Sequence, residues 1–271
     1  MTLSEYIDLL RGQGLADKSI NDYTGYVRRL MIWCQKHGHQ PDTIPAHHVR
    51  TWADETLANS WPTRKQARVA LGHYWHRRTD NPQQAIRVPA KPDPRYCGLT
   101  PTQASTLKQA ATMYGDRAGL ATLCCLYTGA RASEVAGFHH DHIGDGIIRW
   151  WRTKRGGDWH LMPLHPALAE AVGRGSGFLF TGDRGRPHVS GNTIWSWVVK
   201  VSETAGMRVT PKQLRSTAGM MVMESTGDLD AAASFLGHRD VNVTRNVYVA
   251  KTSEARMRSA VMALDGYDTR P

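Results

Sequence analysis

Apolar residues recur at three- and four-residue intervals through most of this chain, the spacing that puts one face of a helix against a core. In "LSEYIDLLRGQG", Leu3, Tyr6, Ile7 and Leu10 share a face and the run ends in glycine. "DKSINDYTGYVRRLMIWCQKHG" sets Ile20, Tyr23, Val27, Leu30 and Ile32 at helical spacing and stops at Gly38. "PAHHVRTWADETLA" predicts a third, less regular helix. A fourth is predicted over 63–78, capped by Thr63, with Ala67, Ala70, Leu71, Tyr74 and Trp75 inward. Arg64, Lys65, Arg68, Arg77 and Arg78 flank that apolar face.

The pattern then changes. Prolines at 82, 89, 92 and 94 block helix continuation and favour extended backbone, which predicts an interdomain linker over 87–98. Helical patterning restarts at "LTPTQASTLKQAA", with Pro101 early in the helix. "AGLATLCCLYTG" (118–129) is apolar on every side, as a buried helix ending at Gly129 would be. "ASEVAGFHHDHI" predicts a short helix and turn, and "GIIRWWRTKRGGDWHLMPL" (146–164) predicts a hairpin about "RGG". Helices follow in "SGNTIWSWVVKVSETAG", "TPKQLRSTAGMMVMESTG", "DLDAAASFLGH" and "SEARMRSAVMAL" (253–264). The fold class is therefore mostly α with a small β-sheet: a helical domain at 1–86, the linker at 87–98 and a mixed α+β domain at 99–271.

Composition narrows the function. The 271 residues carry a net charge of +10, spread along the chain, so a folded basic surface facing a polyanion is expected, nucleic acid foremost. Cys34, Cys97, Cys124 and Cys125 form no CxxC pair, which fits neither a disulfide framework nor a zinc site and suits a reducing, cytoplasmic compartment. "MTLSEYIDLL" lacks the form of a signal peptide, and no apolar run is long enough for a membrane span. The histidine clusters "HGH", "HH" and "HHDH" lack the helical spacing of metal ligands, so no metal or other cofactor is expected.

Cleaving a phosphodiester without a metal needs a nucleophile, cations on the phosphate oxygens and an acid for the leaving oxygen. The second domain offers cations just after structural breaks: Arg131 after "YTGA", Lys154 at the mouth of the hairpin turn, and Lys212 and Arg215 one helical turn apart. His238 follows a Leu-Gly corner, and ten residues later Tyr248 stands between two valines. Each has an ordinary structural alternative. Tyr248 alone fits a core aromatic, Arg131 a surface ion pair, and His238 a helix terminator. Arg152 and Arg155 are close rivals of Lys154. Tyr267, after Gly266 near the end where fraying is expected, is a poor nucleophile candidate. Trp150, Trp151, Trp159, Trp195 and Trp197 read as packing residues rather than base-stacking platforms.

Together these motifs resemble the tyrosine recombinases, the family of phage integrases and related site-specific recombinases. "TGARASEVAGF" resembles the family's first box. "TPKQLRSTAGMMVMESTGDLDAAASFLGHRDVNVTRNVYVA" resembles the second box through to the nucleophile, and "TKRGGDWHLMPL" resembles the hairpin that holds the family's lysine. The first domain is similar to the family's core-binding (SAM-like) domain. The resemblance implies that Arg131 and Arg215 clamp the scissile phosphate, His238 hydrogen-bonds it, Lys154 protonates the departing 5′ oxygen, and Tyr248 forms a 3′-phosphotyrosyl bond. Lys212 stands where the family usually has histidine; it is expected to contact phosphate, and general-base action there is in question. The resemblance further implies double-stranded DNA with core-type attachment sites, contacted by Arg64, Lys65, Arg68, Arg77 and Arg78, and a homotetramer on synapsed DNA. An accessory DNA-bending or directionality protein belongs to the same expectation, as does a two-domain form without an arm-binding domain. Three alternatives stay open: a Xer-like resolvase or invertase, a type IB topoisomerase-like enzyme, and a DNA-binding protein with a decayed site.

Overall fold

A computed structural model describes residues 1–92, 97–152, 157–183 and 185–238. The chain divides into two compact units, residues 1–93 and 94–271, and the division falls inside the predicted linker.

The first unit contains α1 (Leu3–Gly12), α2 (Asp17–Lys36), α3 (Ala46–Thr56), α4 (Trp61–Tyr74) and a 3-10 turn at Pro82–Ala85. Thr2 and Glu5 close a capping box on α1, each side chain taking a backbone N–H of the other residue. Tyr6, Leu10, Val27, Leu30, Trp52 and Leu71 form the middle of the core. Two expectations are corrected here. Ile32 is 61 % exposed, because two residues beyond Leu30 a helix has turned about 200°, and Trp33 and Cys34 take the buried positions. α4 begins at Trp61 behind Ser60, with Pro62 in its first turn, and ends at Tyr74, so Thr63 is not its cap and Arg77 and Arg78 lie beyond it.

The second unit contains α5 (Pro101–Tyr114), α6 (Arg117–Thr128), α7 (Ala132–Val135), a 3-10 turn at His140–His142, and strands β1 (Ile143–Gly144), β2 (Ile147–Arg152) and β3 (Asp158–Pro163). Helices α8 (Pro166–Val172), α9 (Gly191–Thr204), α10 (Pro211–Thr226) and α11 (Leu229–Leu236) follow. The sequence pattern did not predict α8, a short helix capped by the His165 side chain. α6 is buried on every side, as its composition requires, and packs against α5, α9 and α10. The strands make an antiparallel sheet in the order β1-β2-β3. Ile148 and Trp150 face the core, whereas Trp151 and Trp159, 48 % and 51 % exposed, pair across the outer face. Trp195 is also exposed, so packing accounts for only part of the predicted tryptophan set.

Candidate functional site

The ends of α6 and α11 meet the first turn of α7, the N-terminal part of α10 and the Arg152–Asp158 end of the β2–β3 pair. α6 closes at Gly129, whose φ of +59° is a left-handed conformation that favours glycine. A Cβ there would lie 3.0 Å from both Phe235 and Leu236, so the missing side chain also permits the approach of α11.

Two residues later Arg131 caps α7. Its backbone N–H donates to Glu134 Oε2 at 2.9 Å and its Nη1 donates to Glu134 Oε1 at 2.7 Å. The Glu134 side chain is 2 % exposed and that of Arg131 32 % exposed. A buried carboxylate thus fixes the guanidinium from behind while its other side stays open to an anion. Arg215, on α10, donates from Nη1 to Gly129 O at 2.6 Å and from Nη2 to Leu236 O at 2.5 Å. One rigid fork therefore ties together the ends of two helices.

His238 lies immediately beyond α11. Gly237, at φ +62°, turns the chain, and the N–H groups of Gly237 and His238 donate to Ser234 O and Ala233 O, each at 2.9 Å. Burial first, then the charges of Arg215, Arg131 and Arg152, push the His238 imidazole down to about 4. The ring is neutral near pH 7, in a pocket of positive charge.

The hairpin supplies Arg152, which the sequence offered only as a rival of Lys154, and Asp158 and His160, which it did not single out. Arg152 binds the Asp158 carboxylate in a fork, through Nε at 2.7 Å to Oδ1 and through Nη2 to Oδ2. Its Nη1 donates to Gly237 O at 2.6 Å. His160 Nε2 donates to Phe235 O at 3.1 Å, and burial lowers the proton affinity of its ring. Strand parity offered a signal for these residues. Arg152 is in phase with the buried Ile148 and Trp150, and Asp158 and His160 sit opposite Arg152 and Trp150. Glu134 was missed because a carboxylate in a short helix reads as a surface residue until its burial is seen.

Of the six predicted site residues, the structure brings Arg131, Arg215 and His238 together. Lys212 is exposed on the first turn of α10, three residues before Arg215. Lys154 and Tyr248 lie outside the described residues.

The basic set on and after α4 divides. The Arg64 side chain is 6 % exposed, pairs with Asp54 at 2.7 Å, and donates to Arg87 O and Ala53 O. It is a structural residue, not the solvent-facing phosphate contact expected of it. Arg68 donates to Gln84 O and Ile86 O, and Arg78 to Asp80, Asp42 O and Ile44 O. Lys65 and Arg77 are exposed, with Lys65 Nζ 4.6 Å from the centre of the Trp61 ring.

Residues 98–255 match the model of the phage integrase family. The chain belongs to that family. This is the tyrosine-recombinase family that the motifs resembled. The chain is 24 % identical over 262 residues to the tyrosine recombinase XerA of Thermococcus kodakarensis, covering 92 % of this chain and 89 % of that one. It is 29 % identical over 152 residues to XerD of Mycobacterium tuberculosis, covering 50 % of this chain and 48 % of XerD. Among solved structures it superposes on a lambda integrase dimer bound to a core site with a TM-score of 0.69 at 19 % identity, covering 89 % of this chain and 95 % of the integrase. The XerH recombinase bound to its difH substrate gives 0.69 at 15 % identity, covering 94 % and 84 %. Both structural likenesses establish the tyrosine-recombinase fold. Among the described residues no helix is long and apolar enough to cross a membrane.

Proposed function

We propose that this recombinase cuts and rejoins duplex DNA at core-type sites through a covalent link to Tyr248. The observation that supports this most is the convergence of Arg131, Arg215 and Arg152 on a half-buried, neutral His238. Arg131 keeps one side open beyond its Glu134 partner, so the cluster is suited to a phosphate whose charge grows in the transition state. Arg131 and Arg215 neutralise the non-bridging oxygens, and His238 donates a hydrogen bond to one of them. The Tyr248 hydroxyl oxygen attacks phosphorus and loses its proton to solvent as the bond forms. The P–O5′ bond breaks, and Lys154 supplies the proton that makes a 5′-hydroxyl. The 3′-phosphotyrosyl link keeps the energy of the broken bond, so a second 5′-hydroxyl reverses the chemistry without ATP or a metal. Lys212, exposed at the start of α10, serves as a phosphate contact.

The DNA-bound tetramer and a role in moving phage or mobile-element DNA belong to the same proposal. Support comes from the lambda integrase tetramer solved on a Holliday junction, which shares this fold at a TM-score of 0.66. The XerA and XerD relatives favour a second reading, a Xer-like resolvase acting on its host's own sites.

Covalent trapping tests the chemistry. Nicked duplexes tiling the DNA that flanks the gene are incubated with wild type or Tyr248→Phe in EDTA and resolved on a denaturing gel. The expected result is a protein–DNA adduct with wild type alone. An adduct that survives Tyr248→Phe moves the nucleophile elsewhere. No adduct despite tight binding favours a DNA-binding protein with a decayed site.

A further inference from the structure

The last three carbonyls at the end of α11 are each taken by a side chain from another element. Phe235 O accepts from His160 Nε2 at 3.1 Å, Leu236 O from Arg215 Nη2 at 2.5 Å, and Gly237 O from Arg152 Nη1 at 2.6 Å. A helix end leaves these oxygens without intrahelical donors and concentrates negative dipole on them, so cationic donors there bind strongly. One of the three donors is the proposed phosphate clamp Arg215. The other two come from β2 and β3, near the paired residues Arg152 and Asp158.

We infer that Arg152, held by Asp158 and assisted by His160, is a positioning residue that locks the Leu236–Gly237–His238 corner to the β2–β3 hairpin and thereby sets His238 against the scissile phosphate. Three observations support it. The guanidinium is nearly spent on protein: Nε and Nη2 engage Asp158, and Nη1 engages Gly237 O. Its side chain is 14 % exposed, less than half the exposure of Arg131, so it is poorly placed to act as another open phosphate clamp. Gly237 fits against it closely, because a Cβ there would lie 2.0 Å from Arg152 Nη1. The corner that delivers His238 is therefore shaped around this arginine.

The inference rests on the recombinase reading, and its test separates the two. Single-turnover adduct formation on the nicked duplex that wild type cleaves is measured across pH for Arg152→Gln and Arg152→Lys, with DNA affinity and thermal unfolding measured alongside. The charged groups facing His238 are Arg215 from α10, Arg131 at the start of α7 and Arg152 from β2. Those facing the adjoining His160 are Arg152, Glu134 and Arg215, and Asp158 pairs with Arg152. Removing one cation from this group raises the His238 midpoint. Arg152→Gln is expected to slow adduct formation about 10- to 100-fold, as a small misplacement of a reacting group does, at unchanged DNA affinity. It is also expected to move the acid limb of the rate profile toward neutral pH. Arg152→Lys keeps the charge and loses the fork, so its acid limb stays at the wild-type position while its rate falls; if the Gln variant does not fold, the Lys variant and Asp158→Asn supply the rate test. An unchanged rate and profile in these variants, with wild type active, overturns the inference alone. Loss of DNA affinity in proportion to the rate also overturns it, by making Arg152 a phosphate contact. A wild type that forms no adduct overturns the recombinase reading and this inference with it.

Discussion

At the residue scale, His238 is the most sensitive reporter of the site. Its unfolded midpoint is about 6.5, while burial and the arginine charges hold the folded one at about 4. Between those values the unfolded chain binds more protons than the folded chain. Stability is therefore fully present above pH 6.5 and falls as pH drops through this window. His160 shifts in the same direction, through burial first. Urea unfolding at closely spaced pH values between neutrality and pH 4 measures this loss. His238→Gln is expected to unfold with a visibly weaker pH dependence than wild type, since glutamine keeps polarity without titrating. Equal pH slopes for the two proteins would show that the imidazole is not depressed by its surroundings.

At the element scale, Arg64 shows both what the sequence displayed and what it concealed. Its helix was legible from Ala67, Ala70, Leu71 and Tyr74. Yet Arg64 is three residues before Ala67 and seven before Leu71, so it lies on the same inward face. Reading its charge before its register assigned it to DNA. The correct signal was the periodicity itself, and what the pattern did not show is the acceptor, because Asp54 and the carbonyls of Ala53 and Arg87 come from other segments. The same division runs through the second unit. Among the described residues, the longer helices, the β2 and β3 strands and the Gly129 and Gly237 corners follow local rules and were legible, whereas the short α8 was not. The Glu134 support for Arg131 and the Arg152 lock on Gly237 depend on burial and on contacts across 85 residues of sequence. A test follows for Asp54→Ala, which leaves a buried guanidinium short of its charged partner. Half of Asp54 is exposed, which limits the loss. Chemical denaturation of the full chain should show destabilisation of about 1–3 kcal/mol, the range for a hydrogen bond to a charged group. A change within a few tenths would mean that the carbonyl acceptors alone satisfy Arg64.

At the scale of the whole molecule, a charge of +10 on 271 residues sets how the protein finds DNA before any site is recognised. Neutralising phosphates releases condensed counterions, so affinity falls linearly on a log scale with salt, and the slope counts the phosphate contacts. The basic residues after Ser60 do not contribute alike. Lys65 and Arg77 are exposed, whereas Arg64 is occupied by Asp54 and two carbonyls, and Arg68 and Arg78 donate to backbone oxygens. Under the proposed reading, Lys65→Ala and Arg77→Ala should each weaken binding to a random-sequence duplex and each lower the salt slope by about 1. Arg64→Met, which removes the charge but keeps much of the buried volume, should leave the slope at the wild-type value even if the protein is less stable. Fluorescence anisotropy across a salt series checks all three variants on one duplex. If Arg64→Met lowers the slope as far as Lys65→Ala does, the Arg64 side chain leaves Asp54 to meet the DNA. If neither exposed residue alters the slope, the basic surface that meets the phosphates is elsewhere on the chain, and the second unit, with Lys212 exposed at the start of α10, becomes the place to repeat the measurement.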